Sequence, residues 1–227
     1  MRSLYTTLLM CLLLSGYGAA CGAGSVANTA AVHPVSTAGM LKDKSAKQDS
    51  GNVHESDRKK IVRAAYNMLE NKAGENLSTA GALDSILERA RLESRIGWKP
   101  SDGIDKLAAI AKRKKAYHGT GRIKAGDIVL FHNIRDVNSN GKDDDWFCAA
   151  AVVVRSRGWR KVAVGKVGSM LKKIYLDPDD PHRRRLDNGT VVNSFLRKPS
   201  RCDHRFQMYL AGELLAGFID IEELLDP

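Results

Sequence analysis

The apolar positions of this chain change their spacing several times, and each change marks a different kind of structure. From Leu4 to Leu14 the sequence is an apolar run interrupted only by Thr6 and Thr7. Nothing polar marks a second face, and the run is too short to span a bilayer as a permanent helix. Arg2 stands before it, and the small residues Ser15, Gly16, Gly18, Ala19 and Ala20 follow. Positive, apolar and then small is the order of a secretion signal, so residues 1–20 are expected to direct export. Residues 22–56 have no sustained apolar period and are rich in Gly, Ala, Ser, Thr, Asn and Lys. Such a stretch buries too little surface to offset its ordering entropy, which predicts a flexible tether.

A helical period begins at residue 57. Ser56 or Asp57 caps a predicted helix with Ile61, Val62, Ala65, Met68 and Leu69 on one face, running until Gly74. Ser78 or Thr79 opens a second, with Leu83, Ile86, Leu87 and Ala90 inward and Gly97 as its stop. Ser101 opens a third through Ile104, Leu107, Ala108 and Ala111. The pattern then turns strand-like. Asp127–Phe131 reads as a buried strand after the turn at Ala125-Gly126, and Ala149–Val154 as a second. Gly158 turns that strand back into Lys161–Val164. Leu171–Leu176 and Thr190–Val192 are weaker strands, and Tyr209–Phe218 reads as a short closing helix. Helices first and antiparallel strands afterwards predict an α+β domain with one sheet over residues 57–227.

The cysteines refine the export reading. Of four, Cys11 lies in the signal and Cys21 directly follows its small residues. That placement resembles the lipobox of bacterial lipoproteins, in which the cysteine is acylated and becomes the new N-terminus. The resemblance implies a lipid-anchored protein with residues 21–56 as lipidated cysteine and tether; Gly18 stands where the family usually has Leu. Ordinary cleavage before Cys21 is the alternative. Cys148 and Cys202 remain, either paired in a disulfide or as separate thiols, and their spacing does not decide which.

The net charge of +10 falls almost wholly on the domain, with clusters at Lys112–Lys115, at Arg155, Arg157, Arg160 and Lys161, and at Arg183–Arg185. A basic surface implies an anionic neighbour such as acidic lipid or wall polymer. An exported chain whose clusters are not interleaved with aromatic residues argues against nucleic acid.

The densest chemical signal is Asp136-Val137-Asn138-Ser139-Asn140-Gly141-Lys142-Asp143-Asp144-Asp145. Oxygen ligands at alternate positions, with glycine sixth, match the first half of an EF-hand-type calcium loop. Asp136, Asn138 and Asn140 would ligate by side chains and Lys142 by its carbonyl. Phe147 occupies the place of the usual bidentate glutamate, so Asp143 or Asp145 would substitute. The alternative is a solvated turn.

Gly126-Asp127-Ile128-Val129-Leu130-Phe131-His132-Asn133, the acidic loop, a small-residue strand ending Val152-Val153-Val154, Asn193-Ser194-Phe195-Leu196-Arg197, and the ending Leu210 to Leu214 occur in that order. This ordered set resembles the NlpC/P60 and CHAP group of cell-wall peptidases and amidases over roughly residues 57–225. The resemblance implies a papain-like fold and thiol hydrolysis. A cysteine at the start of the second helix is activated by a histidine on the following strands, which a third polar residue orients. All three positions differ here. The second helix has no cysteine, and Asp84-Ser85 is the nearest echo. Cys148 stands where the histidine is expected, and Gly165 and Lys166 occupy the third place.

Removing members of a catalytic triad typically costs about 10⁴-fold or more. The expectation is therefore a non-catalytic binding or scaffolding module at peptidoglycan or another anionic envelope component, held to the membrane by its lipid. One alternative is an active hydrolase with displaced residues, including a permuted arrangement with Cys202 heading the closing helix and His132, His182 or His204 as base. Another is a basic lipoprotein that docks an anionic partner without using a cleft.

Overall fold

The computed structural model describes residues 56–74, 76–137, 139–140, 142, 144–197 and 208–226. The secretion signal, Cys21, the tether up to residue 55, and Asn138, Gly141, Asp143, Cys202 and His204 lie outside the described residues. The described part is α+β, with helices followed by an antiparallel sheet. Helices α1 (Asp57–Glu70), α2 (Thr79–Ala90), a single turn α3 (Glu93–Ile96) and α4 (Gly103–Arg113) come first, and α5 (Ile221–Leu225) closes the chain's described part. Strands β1 (Tyr117–His118), β2 (Ile128–Phe131), β3 (Ala149–Arg157), β4 (Arg160–Val167), β5 (Met170–Leu176) and β6 (Leu215–Ile219) form one sheet in the order β1-β6-β2-β3-β4-β5. None of the helices among the described residues is long and apolar enough to cross a membrane.

The helix boundaries follow local chemistry. Ser78 caps α2, its hydroxyl accepting a hydrogen bond from the Gly81 N–H at 3.0 Å. Leu83, Ile86, Leu87 and Ala90 are buried as their spacing predicts. Arg91, rather than Gly97, ends α2, in the left-handed region at φ 59°. Gly97 ends the extra turn α3, at φ 70°.

The sheet is covered on both faces, which accounts for its continuous apolar runs. One face, with Ile128, Leu130, Val152, Val164 and Leu171, packs against α1, α2 and α4 through Ile61, Ala65, Leu83, Leu87 and Leu107. The opposite face, with Val129, Phe131, Val153, Ala163, Ile174 and Phe218, is covered by Leu196, Ala211 and Leu214. Alternate residues of β2 therefore enter different cores, and all four are buried.

Two elements differ from expectation. Thr190–Val192 joins only a single isolated bridge, Arg185 to Val191, and is not a strand. Tyr209–Phe218 is a turn followed by β6, not a helix. Its Leu and Ala residues imitate a helical stripe, but the backbone does not permit one. Gly217 takes φ 142°, and a Cβ there would meet the His118 carbonyl and the Tyr117 ring within 2.9 Å. The Glu213 carboxylate accepts the N–H groups of Tyr209 and Leu210 at 2.8 and 3.0 Å, which closes the turn. The helix that a catalytic Cys202 would head is therefore not formed by this segment.

The remaining resemblance motifs are joints of the fold. Gly126 lies at φ 97° with the α1 backbone at Arg58 so close that a Cβ would sit 3.0 Å from its Cα. That approach places the Arg58 guanidinium between the Asp127 carboxylate, which is fully buried, and Asp220 at the end of β6. Asn193 is also fully buried. Its Oδ1 accepts the Asp177 N–H at 2.9 Å, and its Nδ2 donates to the carbonyls of Asp180 and Arg183 at 2.8 and 2.9 Å. Gly212 leaves room for this knot, since a Cβ there would lie 2.8 Å from the Asn193 Oδ1. Asn193→Ala strands those three groups, and a chemical denaturation series is expected to show a loss of about 2–3 kcal/mol. A loss below about 0.5 kcal/mol would show that the knot is idle.

Candidate functional site

The start of α2, the start of β3 and the end of β4 meet at a groove formed by two adjoining cavities. The larger, about 540 Å³, is lined by Ser78, Thr79 and Ala80, the start of α4, and Val137, Asp144, Asp145 and Trp146. The smaller, about 360 Å³, is lined by Ile134, Ala149, Lys166, Gly168, Leu196 and Arg197. Thr79, Arg135 and Cys148 line both and stand at the junction.

Cys148 is a free thiol, 9% exposed. Its sulfur accepts the Ile134 N–H at 3.2 Å and is 3.7 Å from the Phe131 carbonyl, to which it can donate. The thiol thus joins the end of β2 to the start of β3. No histidine is among the described residues that line either cavity. His132 stacks on Trp146 with ring centroids 5.1 Å apart, and His182 meets Glu213 at 3.0 Å. Phe147, just before Cys148, is held at φ 55°, an uncommon backbone state for an aromatic residue.

Ser85 is the seventh residue of α2, half-buried, and does not line the groove. It lies roughly 9 Å along the helix axis from Thr79 at 1.5 Å per residue. The structure brings Cys148 to Thr79, not to Ser85. Asp84, beside Ser85, has its carboxyl pushed up by burial and by the neighbouring charges of Glu88 and Glu93. Lys166, which the resemblance would set near a third polar position, does reach the groove, with its ammonium donating to the carbonyls of Gly74 and Ser169. Arg135 was not singled out by sequence, and Thr79 only as one of two candidate caps of the second helix. For Thr79 the signal was present, because it follows the helix-capping Ser78; Arg135 sits in a loop without a motif.

The groove is electrostatically divided. Asp105, Asp144 and Asp145 line the larger cavity, whereas Lys166 and Arg197 line the smaller one. Arg135 stands between. A ligand with an amine at one end and a carboxylate at the other matches that polarity.

The acidic loop closes through its own side chains. Asp136 accepts the Asn140 N–H at 3.2 Å, the Asn140 amide donates to Asp144 at 3.0 Å, and Asp145 accepts the Val137 N–H at 3.0 Å. Among the described residues no three His, Cys, Asp or Glu side chains are grouped as a metal site would require. These described side chains hold the turn, while Asn138 and Asp143 of the expected ligand set lie outside the described residues. Calcium ligation by Asp136, Asn138, Asn140, Asp143 and Asp145 is tested by calorimetric titration. Heat that disappears in Asp136→Ala supports a calcium loop, and no heat at millimolar calcium removes it.

Elsewhere, much of the positive charge is engaged within the protein. Lys114 donates to the carbonyls of Leu224 and Asp226 at 3.0 and 2.7 Å, capping α5. Lys112 lies over the rings of Tyr117 and Phe147. Arg184 lies over Phe195, and Arg185 donates to the Gly189 carbonyl at 2.7 Å. Lys161 is buried and donates to the carbonyls of Gly158 and Trp159, so it belongs to its hairpin rather than to a basic surface.

Three carboxyls are held below the usual carboxylate range. For Asp57 the hydrogen bond from Lys60 is the largest cause, with burial opposing it and Arg95 assisting. For Glu213 and Asp220 burial pushes upward, but hydrogen bonds and cations outweigh it: the Leu210 N–H and His182 for Glu213, Lys124 and Arg58 for Asp220. Asp127 goes the other way, because burial outweighs the Lys124 N–H and Arg58. The stability from the three lowered groups is fully present above their ordinary values near 4 and is lost as pH falls through their folded values. Asp127 opposes this, contributing most below about 4 and losing its share as pH rises through its raised value. A thermal-melt series is expected to show Tm falling below about pH 4, with a shallower fall in Asp220→Asn. An unchanged acid limb in that variant would contradict the assignment.

No protein-family model, curated protein or solved structure matches the chain.

Proposed function

We propose that the domain is a papain-like module of the NlpC/P60 or CHAP type that binds cell-wall peptide without cleaving it. The observation that carries this reading is the groove between Thr79, Cys148 and Lys166. A helix start, a strand start and the neighbouring strand meet there, as the resemblance expects of a catalytic centre. The lining supplies no base beside the thiol among the described residues, and Cys148 is engaged by two backbone groups. A hydrolase of this type needs a thiolate and an imidazole in contact. What remains is a polar groove with acid at one end and cation at the other, suited to a short peptide carrying amines and carboxylates. Peptidoglycan stem peptides have that chemistry.

In this reading the protein is exported and held at the envelope by lipid on Cys21, with residues 22–56 as tether. Calcium bound by the acidic loop would steady the wall of the larger cavity and is not required for binding. The test is sedimentation with isolated peptidoglycan. Binding should be competed by soluble stem peptide and retained by Cys148→Ala. Binding indifferent to stem peptide would contradict the proposal.

A further inference from the structure

A second cavity, of about 330 Å³, lies away from the groove and is lined by Tyr66 of α1, the β3–β4 hairpin and β5. Arg155, Arg157, Arg160 and Lys173 contribute four cations to it, Trp159 and Tyr175 contribute rings beside Tyr66, and no carboxylate lines it. Arg155 and Arg157 form no ion pair among the described residues. The Arg160 guanidinium carbon lies over the Tyr175 ring, 4.4 Å from its centroid, a cation–π contact that restrains the side chain. Its Nε is buried and has no hydrogen-bond partner, a donor whose desolvation is not offset within the protein. Trp159 is 41% exposed at the hairpin tip, which leaves a large part of its apolar surface in water.

We propose that this cavity is a phosphate-binding site, with the headgroup of an anionic phospholipid as its source. A guanidinium restrained over a ring, with its Nε unpartnered, is preorganised for an oxyanion, and arginine matches phosphate in paired hydrogen bonds. A phosphodiester headgroup carries one negative charge shared by two oxygens that accept paired hydrogen bonds, and an anionic bilayer presents many such charges to a cluster of four cations. Indole and tyrosine rings at the rim suit the membrane–water interface, where one side of the ring is wet. The site does not depend on the peptide reading of the groove.

The test uses the full chain with ¹⁵N label, inorganic phosphate as the first probe, and sodium chloride at equal ionic strength as the control. The Trp159 indole N–H and the Arg160 Nε–H resonances should move saturably with phosphate and not with chloride. Arg160→Gln should weaken that response at least tenfold, and the exposed Lys173→Gln should weaken it by a smaller factor. Equal responses to both salts, or a phosphate response untouched by both substitutions, would overturn the site. The second probe compares vesicles of phosphatidylglycerol with vesicles of phosphatidylcholine, so that binding by the leader or a lipid anchor cancels. Loss of the preference for phosphatidylglycerol in Arg155→Gln/Arg157→Gln supports the headgroup. A retained preference, with phosphate binding intact in the wild type, overturns the lipid source.

Discussion

Arg58→Ala is expected to destabilise the domain by about 3–5 kcal/mol, because it leaves a fully buried carboxylate without its cation. In a domain of this size that corresponds to a Tm lower by roughly 10 °C. The effect is large because one guanidinium joins three parts of the fold. It donates to Asp127 at the entry of β2, to the Ala125 carbonyl beside it, and to Asp220 between β6 and α5. Asp127→Asn should lose less, since an amide still accepts the Lys124 N–H and carries no buried charge. The double variant Arg58→Ala/Asp127→Asn should lose less than the two single losses added together, the mark of a coupled pair. Additive losses in thermal or urea unfolding would show that the two residues act separately.

Charge reversal at the basic end of the groove should have the largest functional effect. Lys166→Glu at that end, or Arg135→Glu at the junction next to it, sets a carboxylate against the one the proposal seats from the ligand. Losing a charge-assisted hydrogen bond costs about 1.5–3 kcal/mol, equivalent to roughly ten- to a hundredfold in binding. Lys166 also holds the Gly74 and Ser169 carbonyls, so the exposed Arg135 provides the cleaner variant. Wall sedimentation by Arg135→Glu should fall at least tenfold while its melting temperature stays near that of the wild type. A variant that melts normally and still binds fully would separate wall binding from this groove.

The helices were legible because their apolar period and caps are local. Ser78 caps α2 as its sequence suggests, and Ile104, Leu107, Ala108 and Ala111 are buried along α4. β2 and β3 were legible as buried strands because both faces of the sheet are covered, which makes their sequences continuously apolar. β1 is only two residues long, and its pairing with β6 is set by the tertiary structure. β6 was concealed by residues whose spacing also suits a helix, with Gly217 and the close approach of Tyr117 deciding against it.

The site was legible in part. Cys148 and Lys166 both line the groove, and the register of β3 against β4 is set where Gly165 lies so near Ala151 that no Cβ would fit. Ser85 was not, because a resemblance in order does not give the position along a helix. Gly126-Asp127, Asn193 and Gly212-Glu213 point to the fold's joints rather than to chemistry. The basic clusters looked alike in sequence, and only side-chain placement separates Lys161, which closes its own hairpin, from Arg155 and Arg157 beside it.

The central claim is that this groove binds wall peptide and does not cut it, and incubation with purified peptidoglycan tests both halves at once. The full chain should sediment with the wall, be displaced by stem peptide, and release no soluble peptides or new amines over prolonged incubation. Released fragments that vanish in Cys148→Ala or Ser85→Ala would contradict it and identify a hydrolase.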